Sequence, residues 1–114
     1  MAEHLRDLDA VQLSKLRDIL GSEQLSLLLA TFRDDLQACL TKLRDGRDQG
    51  DAGKIRFAAH ELKGAAGNVG AARLADVAAR LQSASSEGRD VAALMVELDA
   101  AAQSFSVAIR SLGT

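Results

Sequence analysis

Apolar residues recur at steps of three and four positions along almost the whole chain of 114 residues, and no proline interrupts them. These steps match the 3.6-residue turn of an α-helix rather than the two-residue alternation of a β-strand. Proline would break the interior of a helix, and the nine glycines supply only a few turns. The spacing therefore predicts an all-α chain.

The first two predicted helices each follow a candidate N-cap. Asp9 and Gln12 have the spacing of a capping box, and Gly21 ends the short helix that follows them. Ser22 is the candidate N-cap of a long second helix over about 23–45. The apolar stripe of the short helix consists of Val11, Leu13, Leu16, Ile19 and Leu20.

Glycine and polar residues separate the remaining helices. The segment 45–50 lacks apolar residues and predicts a turn, after which Asp51 can cap a third helix over 52–69. Gly70 can adopt the left-handed conformation that ends this helix, and Asp90 can cap the last helix. The stripe of the fourth helix consists of Leu74, Val77, Ala78 and Leu81, and that of the fifth consists of Val91, Leu94, Leu98, Ala101, Phe105, Ala108 and Leu112.

These helices predict a single domain. Four long amphipathic helices joined by short turns pack most economically as an antiparallel four-helix bundle, with the short additional N-terminal helix covering one end. A chain of this length buries one core but cannot also hold a separate ATP-binding domain. We therefore expect one domain over 1–114, acting as a monomer.

Composition and charge exclude several classes of partner. The chain has no Trp and no Tyr, so it lacks the aromatic platforms on which single-stranded nucleic acid stacks. The formal net charge is −2 and the pI is about 5.6, so no basic field attracts phosphate backbones or anionic lipid. No apolar run approaches the roughly 20 residues that span a bilayer, and the first residues are charged. We expect no nucleic-acid partner, no membrane contact and a cytoplasmic protein.

Cysteine and acidic residues give no sign of a metal site. The one cysteine, Cys39, cannot form an internal disulfide. It lies on the apolar stripe of the second predicted helix, which predicts an inert thiol in the core. The ligands of a four-coordinate zinc site are missing, and no acidic cluster surrounds His60. We therefore expect no cofactor and no bound metal.

The third predicted helix carries the residues with the clearest chemical potential. At about 100° per residue, its apolar residues fall within roughly 60° of Ile55, whereas His60 falls near 140° and faces outward. The same outward face carries Arg56, Phe57, Lys63, Gly64 and Gly67.

Two glycines on this face are unusual for a helix interior. Each costs on the order of 1 kcal/mol relative to alanine, which this chain otherwise uses freely. Gly64 lies one turn beyond His60 and Gly67 lies two turns beyond it, so the surface beside the imidazole lacks side chains. Lys63 places an ammonium next to the ring, where it can hold an anion attached to it. An exposed imidazole, a cation and a cleared surface together are typical of a nucleophile that accepts and passes on a phosphoryl group.

The residues alone leave two interpretations of His60 open. A lone histidine on a helix is ordinarily a solvated surface residue, and His4 near the N-terminus is best interpreted in that way. The glycine and lysine spacing around His60 instead favours chemistry at this ring.

The segment from Ala59 to Ala71, followed by Leu74 and by Leu81-Gln82, resembles the signature of the histidine-containing phosphotransfer (HPt) family. That signature is His-x-Leu-Lys-Gly, with a downstream Gly-Ala and a leucine-rich next helix. The resemblance covers nearly all of the chain. The form Gly-Ala-Ala-Gly-x-Val-Gly is similar to the HPt domains of hybrid sensor kinases. It implies a phosphocarrier that takes a phosphoryl group from the aspartate of one receiver domain and gives it to another.

The resemblance also assigns roles to individual residues. His60 would be phosphorylated, Lys63 would lie near the phosphoryl oxygens, and Gly64 would let a receiver domain dock. Gln82 is similar to the polar residue that hydrogen-bonds near the imidazole in many members of the family. The implied partners are response-regulator receiver domains and a hybrid sensor histidine kinase.

The remaining outward residues complete the expected surface. Phe57 would supply an apolar anchor, and Gly67 and Arg56 would lie within the area that a receiver covers. Mg²⁺ would be held by the receiver, and without a glycine-rich ATP loop the chain would not phosphorylate itself. Two rivals are a helical adaptor without chemistry and a small histidine-dependent hydrolase. The hydrolase would need an acid or nucleophile oriented on the ring, and Glu61 points about 100° away.

Overall fold

The computed structural model describes residues 7–111, and the predictions for His4 and Leu112 lie outside this range. All of the regular structure in this range is α-helical, which confirms the predicted all-α class. The helices are α1 Ala10–Leu20, α2 Ser22–Gln49, α3 Ala52–Asn68, α4 Ala72–Ser86 and α5 Ala92–Ser111.

The four long helices enclose one apolar core. α2 packs against α3 and α5, α4 packs against the same two helices, and α1 contacts α2. At one point in this core the rings of Phe32 and Phe105 meet edge to face, with centroids 5.1 Å apart. The predicted stripe of α3 is confirmed, since its members are all buried: Ile55, Ala58, Ala59, Leu62, Ala66 and Val69.

The end of α2 differs from the prediction. The expected turn over 45–50 is wrong, because α2 continues to Gln49 and ends at Gly50, whose φ of +66° is left-handed. Gly46 is instead a buried helical residue at the crossing of α2 and α3. A Cβ at Gly46 would lie 2.9 Å from Cγ1 of Ile55 and 3.3 Å from its backbone nitrogen. This glycine therefore permits a close helix crossing, which local sequence cannot distinguish from a turn.

Replacing Gly46 by alanine is expected to lower the free energy of unfolding by about 1–3 kcal/mol, because the new methyl group overpacks the α2–α3 crossing. Gly53→Ala is the matched control. Gly53 is also helical, but its Cβ would meet atoms only at ordinary distances of 3.5 Å and beyond. Urea denaturation should show a large loss for Gly46→Ala and none for Gly53→Ala. Equal stability of the two variants would contradict this account of the crossing.

The predicted caps are confirmed in part. Asp51 accepts a hydrogen bond from the backbone N–H of Lys54 at 3.0 Å, as expected of an N-cap. The prediction for Ser22 is wrong, because Ser22 is already the first residue of α2 and Gly21 occupies the N-cap without a side-chain bond. α1 and α2 meet at this single residue, which leaves no room for a separate capping residue.

The predicted apolar stripe of α1 is mostly wrong. Leu13 is its only member that is buried, whereas Val11 is 65% exposed and Ile19 is 78% exposed. α1 lies on one end of the protein and packs against α2 with one side. Most of the predicted stripe therefore stays exposed.

Polar contacts fix α1 to the C-terminal end of α3. The Asp9 carboxylate caps the first turn of α1, as predicted. The other half of the capping box is wrong, because the Gln12 amide donates to the carbonyls of Gly67 at 2.7 Å and Asn68 at 3.1 Å. The backbone N–H of Asp9 donates to the Gly70 carbonyl at 2.7 Å. α1 therefore supplies donors to carbonyls at and just beyond the end of α3, where the regular hydrogen bonds of a helix stop.

α5 is more apolar than the sequence prediction allowed. Its buried face includes the predicted Leu98 and Phe105, and also Met95, Ala102 and Ile109, which the predicted stripe omits. By length and composition 92–110 is apolar enough to cross a membrane, so the prediction that no segment reaches that length is wrong. Helices at the core of a protein pass the same test, and here α5 packs against α2 and α4.

Candidate functional site

His60 lies in the middle of α3 with its side chain exposed. The residues on the opposite side of the helix hold it firmly, since Ala59 and Leu62 are fully buried. The ring therefore projects from a rigid element while contributing little to the core, as the rotation of the helix predicts.

Gln82 on α4 is the side chain that meets the ring. Its amide nitrogen lies 3.2 Å from Nδ1 of His60, within hydrogen-bonding distance. Leu81 and Ala78, on the buried side of α4, are fully inaccessible, and α4 packs against α3. The contact engages Nδ1, so Nε2 is the ring nitrogen that lies outside it.

The surface beside His60 is open along the helix. Gly64 and Gly67 are both exposed, and a Cβ at either position would have no atom within 4 Å apart from the helix itself. Their packing differs from that of Gly46, where a Cβ would collide with α3. Because the protein's own packing does not require these two glycines, their destabilising effect on the helix needs another reason.

Two cations lie on the same face. Lys63 is half-buried three residues after His60, and Arg56 is exposed four residues before it. Within residues 7–111 neither forms an ion pair with a carboxylate. Both charges thus remain available to an anion brought to this face.

Phe57 is exposed by 63%, which is high for a large apolar side chain on a helix that otherwise buries its apolar residues.

On the next turn, Glu61 forms an ion pair with Lys42 of α2, with 3.6 Å between Oε1 and Nζ. Sequence reasoning did not find this pair, since the register between two packed helices leaves no signal in either one.

Comparison with known proteins decides the family. The family model described as Hpt domain matches residues 27–107. The chain belongs to this family. Its structure is similar to the crystal structure of histidine-containing phosphotransfer protein B (HptB) from Pseudomonas aeruginosa PAO1, at 26% identity and a TM-score of 0.86. The match covers 95% of each chain. No curated protein sequence matches the chain significantly.

As an HPt domain, the chain is a phosphocarrier of a phosphorelay, in which such domains work with response-regulator receiver domains. HPt domains are phosphotransfer intermediates rather than conventional enzymes.

The other candidate groups of this HPt domain lie away from its outward face. Cys39 is buried, as predicted, and burial raises the pKa of its thiol, with smaller contributions from neighbouring charges. A high thiol pKa disfavours the reactive thiolate. In the described part of the chain no three His, Cys, Asp or Glu side chains come together in a group that could hold a metal ion.

Proposed function

We propose that this HPt domain carries the phosphoryl group on Nε2 of His60. The observation that supports this assignment is the contact between the Gln82 amide and Nδ1 at 3.2 Å on an exposed ring. With Nδ1 engaged, the nitrogen that faces a docked partner is Nε2. The open strip at Gly64 and Gly67 gives that partner room to approach.

The transfer step exchanges one bond to phosphorus for another. The Nε2 lone pair attacks the phosphorus of an aspartyl phosphate, the bond from phosphorus to the aspartyl oxygen breaks, and the carboxylate leaves with the electron pair. The ring keeps its proton on Nδ1 throughout. The reverse step, with the aspartate of another receiver as nucleophile, passes the phosphoryl group on.

Gln82 acts as a positioning residue that selects the reactive tautomer. An amide can present either its nitrogen or its oxygen after a half-turn about its last side-chain bond. In the structure the amide nitrogen faces Nδ1; after this half-turn Oε1 faces the ring instead, so that Nδ1–H donates to Gln82 and the lone pair resides on Nε2. The same bond then stabilises the positive charge that the ring acquires when Nε2 is phosphorylated.

Gln82→Ala is expected to slow phosphoryl acceptance about two- to ten-fold, since it removes one hydrogen bond to the reacting ring. Ser83→Ala is the matched control, because Ser83 is exposed on the same turn of α4. Single-turnover transfer from a phosphorylated receiver measures both variants. A Gln82→Ala rate equal to that of Ser83→Ala would remove Gln82 from the mechanism.

The other outward residues form the proposed docking surface. Lys63 contacts the phosphoryl oxygens, and Arg56 adds a second positive charge to the same face. Phe57 is the apolar anchor, and Gly64 and Gly67 are the area over which the receiver backbone approaches.

The proposal extends to the setting of the protein. Its partners are receiver domains and a hybrid sensor histidine kinase, and it acts as a cytoplasmic monomer without nucleic acid or membrane contact. It needs no cofactor and holds no ATP, and the Mg²⁺ of the reaction is bound by the receiver. The packing order of the helices supports an antiparallel four-helix bundle with a short additional N-terminal helix, forming one domain over 1–114.

A phosphotransfer assay tests the proposed function. A receiver domain carrying radiolabelled aspartyl phosphate is mixed with the protein, and the two are separated on a gel at neutral pH. We expect the label to move to this chain and to return to a second receiver. A chain that binds the phosphorylated receiver without taking up label would instead be an adaptor without chemistry.

A further inference from the structure

A groove between α2 and α3 runs beside the proposed docking surface. We propose that this α2–α3 groove selects among receiver domains by accepting a basic side chain of the receiver next to Asp35. The inference rests on the proposed function, since it deals with the partner of the same site. The groove has a volume of about 300 Å³ and is lined by Asp35, Ala38, Cys39, Lys42, Glu61 and Ala65.

The α2–α3 groove is continuous with the docking surface. Glu61 lies one helical turn after Phe57 and three residues before Gly64, so its side chain borders both the anchor and the open strip. Ala65, one turn further on, lines the groove as well. A receiver that covers Phe57 and Gly64 therefore extends over the mouth of the groove.

The charges of the groove are unequal. Lys42 and Glu61 neutralise one another at 3.6 Å, with both side chains about half exposed. Asp35 is exposed at the groove and has no ion-pair partner among residues 7–111. The α2–α3 groove thus carries two carboxylates and one ammonium, and a surplus of one negative charge.

The pKa of the Cys39 thiol, on the buried side of the groove, responds to the same excess of negative charge. Burial is the main cause of its raised pKa, Glu61 and Asp35 raise the pKa further, and Lys42 lowers it. Two nearby carboxylates thus act on this thiol against one ammonium.

The shape of the groove also suits a long basic side chain. Ala38 and Ala65 give parts of its wall a small apolar surface, against which the methylene groups of a lysine or arginine can pack. The charged end of such a side chain would then reach the Asp35 carboxylate. An acidic side chain in the same place would be repelled by that carboxylate. The α2–α3 groove therefore disfavours receivers that carry an acidic residue at this position.

Charge reversal at Asp35 tests the proposal. The probe is the phosphorylated receiver domain that transfers fastest to the wild-type chain. Asp35→Lys should slow transfer from this receiver roughly three- to ten-fold at low salt, because an attraction becomes a repulsion. The difference should shrink at high salt, where exposed charges are screened. Asp34→Lys is the matched control, with the same change of charge at an exposed position outside the lining of the groove.

A second arm separates docking from chemistry. Phosphoramidate is a small phosphoryl donor that does not cover the groove, so Asp35→Lys and the wild-type chain should react with it at equal rates. The lysine or arginine of the receiver that enters the groove is then changed to glutamate. This receiver variant should recover transfer to Asp35→Lys, because the two charges attract again. Equal transfer rates for Asp35→Lys and Asp34→Lys would overturn the role of the groove, while label on the wild-type chain would still support the proposed function.

Discussion

His60→Gln is expected to abolish phosphoryl acceptance and to leave the free energy of unfolding within about 0.5 kcal/mol of the wild-type value. Glutamine has no nucleophilic ring nitrogen, so no phosphoramidate bond can form at this position. The structural effect is small because the His60 side chain is exposed on α3, and the buried side of this helix is unchanged. Transfer from a phosphorylated receiver and thermal unfolding, measured on the same preparation, check both parts.

Glu61→Gln is the control for this experiment. Glu61 is the exposed neighbour of His60 on the same helix and pairs with Lys42 rather than with the ring. Because Glu61 also lines the α2–α3 groove, this variant should take up label more slowly than the wild type, but unlike His60→Gln it should still accept the phosphoryl group. If His60→Gln still took up label from the receiver, the assignment of His60 would be wrong.

Gly64→Gln is expected to slow transfer from a receiver ten-fold or more, because folding and docking place opposite demands on this position. Apart from the helix itself, no atom lies within 4 Å of a Cβ at Gly64, so the side chain fits the free protein and extends over the open strip. A receiver must then approach over that side chain, and each ~1.4 kcal/mol lost from docking is a factor of ten. Transfer rates at several receiver concentrations measure the effect.

Gly64→Ala separates the two demands. Because the site is an exposed helix interior with ordinary backbone angles, alanine should raise the free energy of unfolding by about 0.5–1 kcal/mol. Gly64→Gln should likewise be at least as stable as the wild type, so its loss of transfer cannot come from unfolding. Wild-type transfer by Gly64→Gln would disprove the docking role of the open strip, even if His60 were phosphorylated.

The faces of α3 were predictable because one rotation of about 100° per residue relates all side chains of a helix. This rule places Ile55 and Leu62 in the core and His60 and Phe57 outside, and the structure agrees. The same rule failed for α1. Val11 and Ile19 are exposed there, because the position of a short helix at one end of the protein decides how much of it is covered.

Contacts between helices were beyond the reach of sequence patterns. The approach of Gln82 to His60 follows from the packing of α4 on α3, and only the family resemblance suggested it in advance. The pair Lys42–Glu61 and the bonds from Gln12 to the end of α3 depend in the same way on how separate helices meet. Gly46 shows the ambiguity most clearly, because a glycine that allows two helices to cross has the same local pattern as one in a turn.

Localisation of the phosphoryl group by mass spectrometry tests the central claim most directly. The wild-type chain is labelled by a phosphorylated receiver, kept at alkaline pH and fragmented under conditions that preserve phosphoramidates. We predict a single phosphoryl group on His60 that is lost in acid and stable in alkali, as expected for phosphorus bound to an imidazole nitrogen. An acid-stable label on a serine or threonine, or a phosphoryl group at any other residue, would contradict the account.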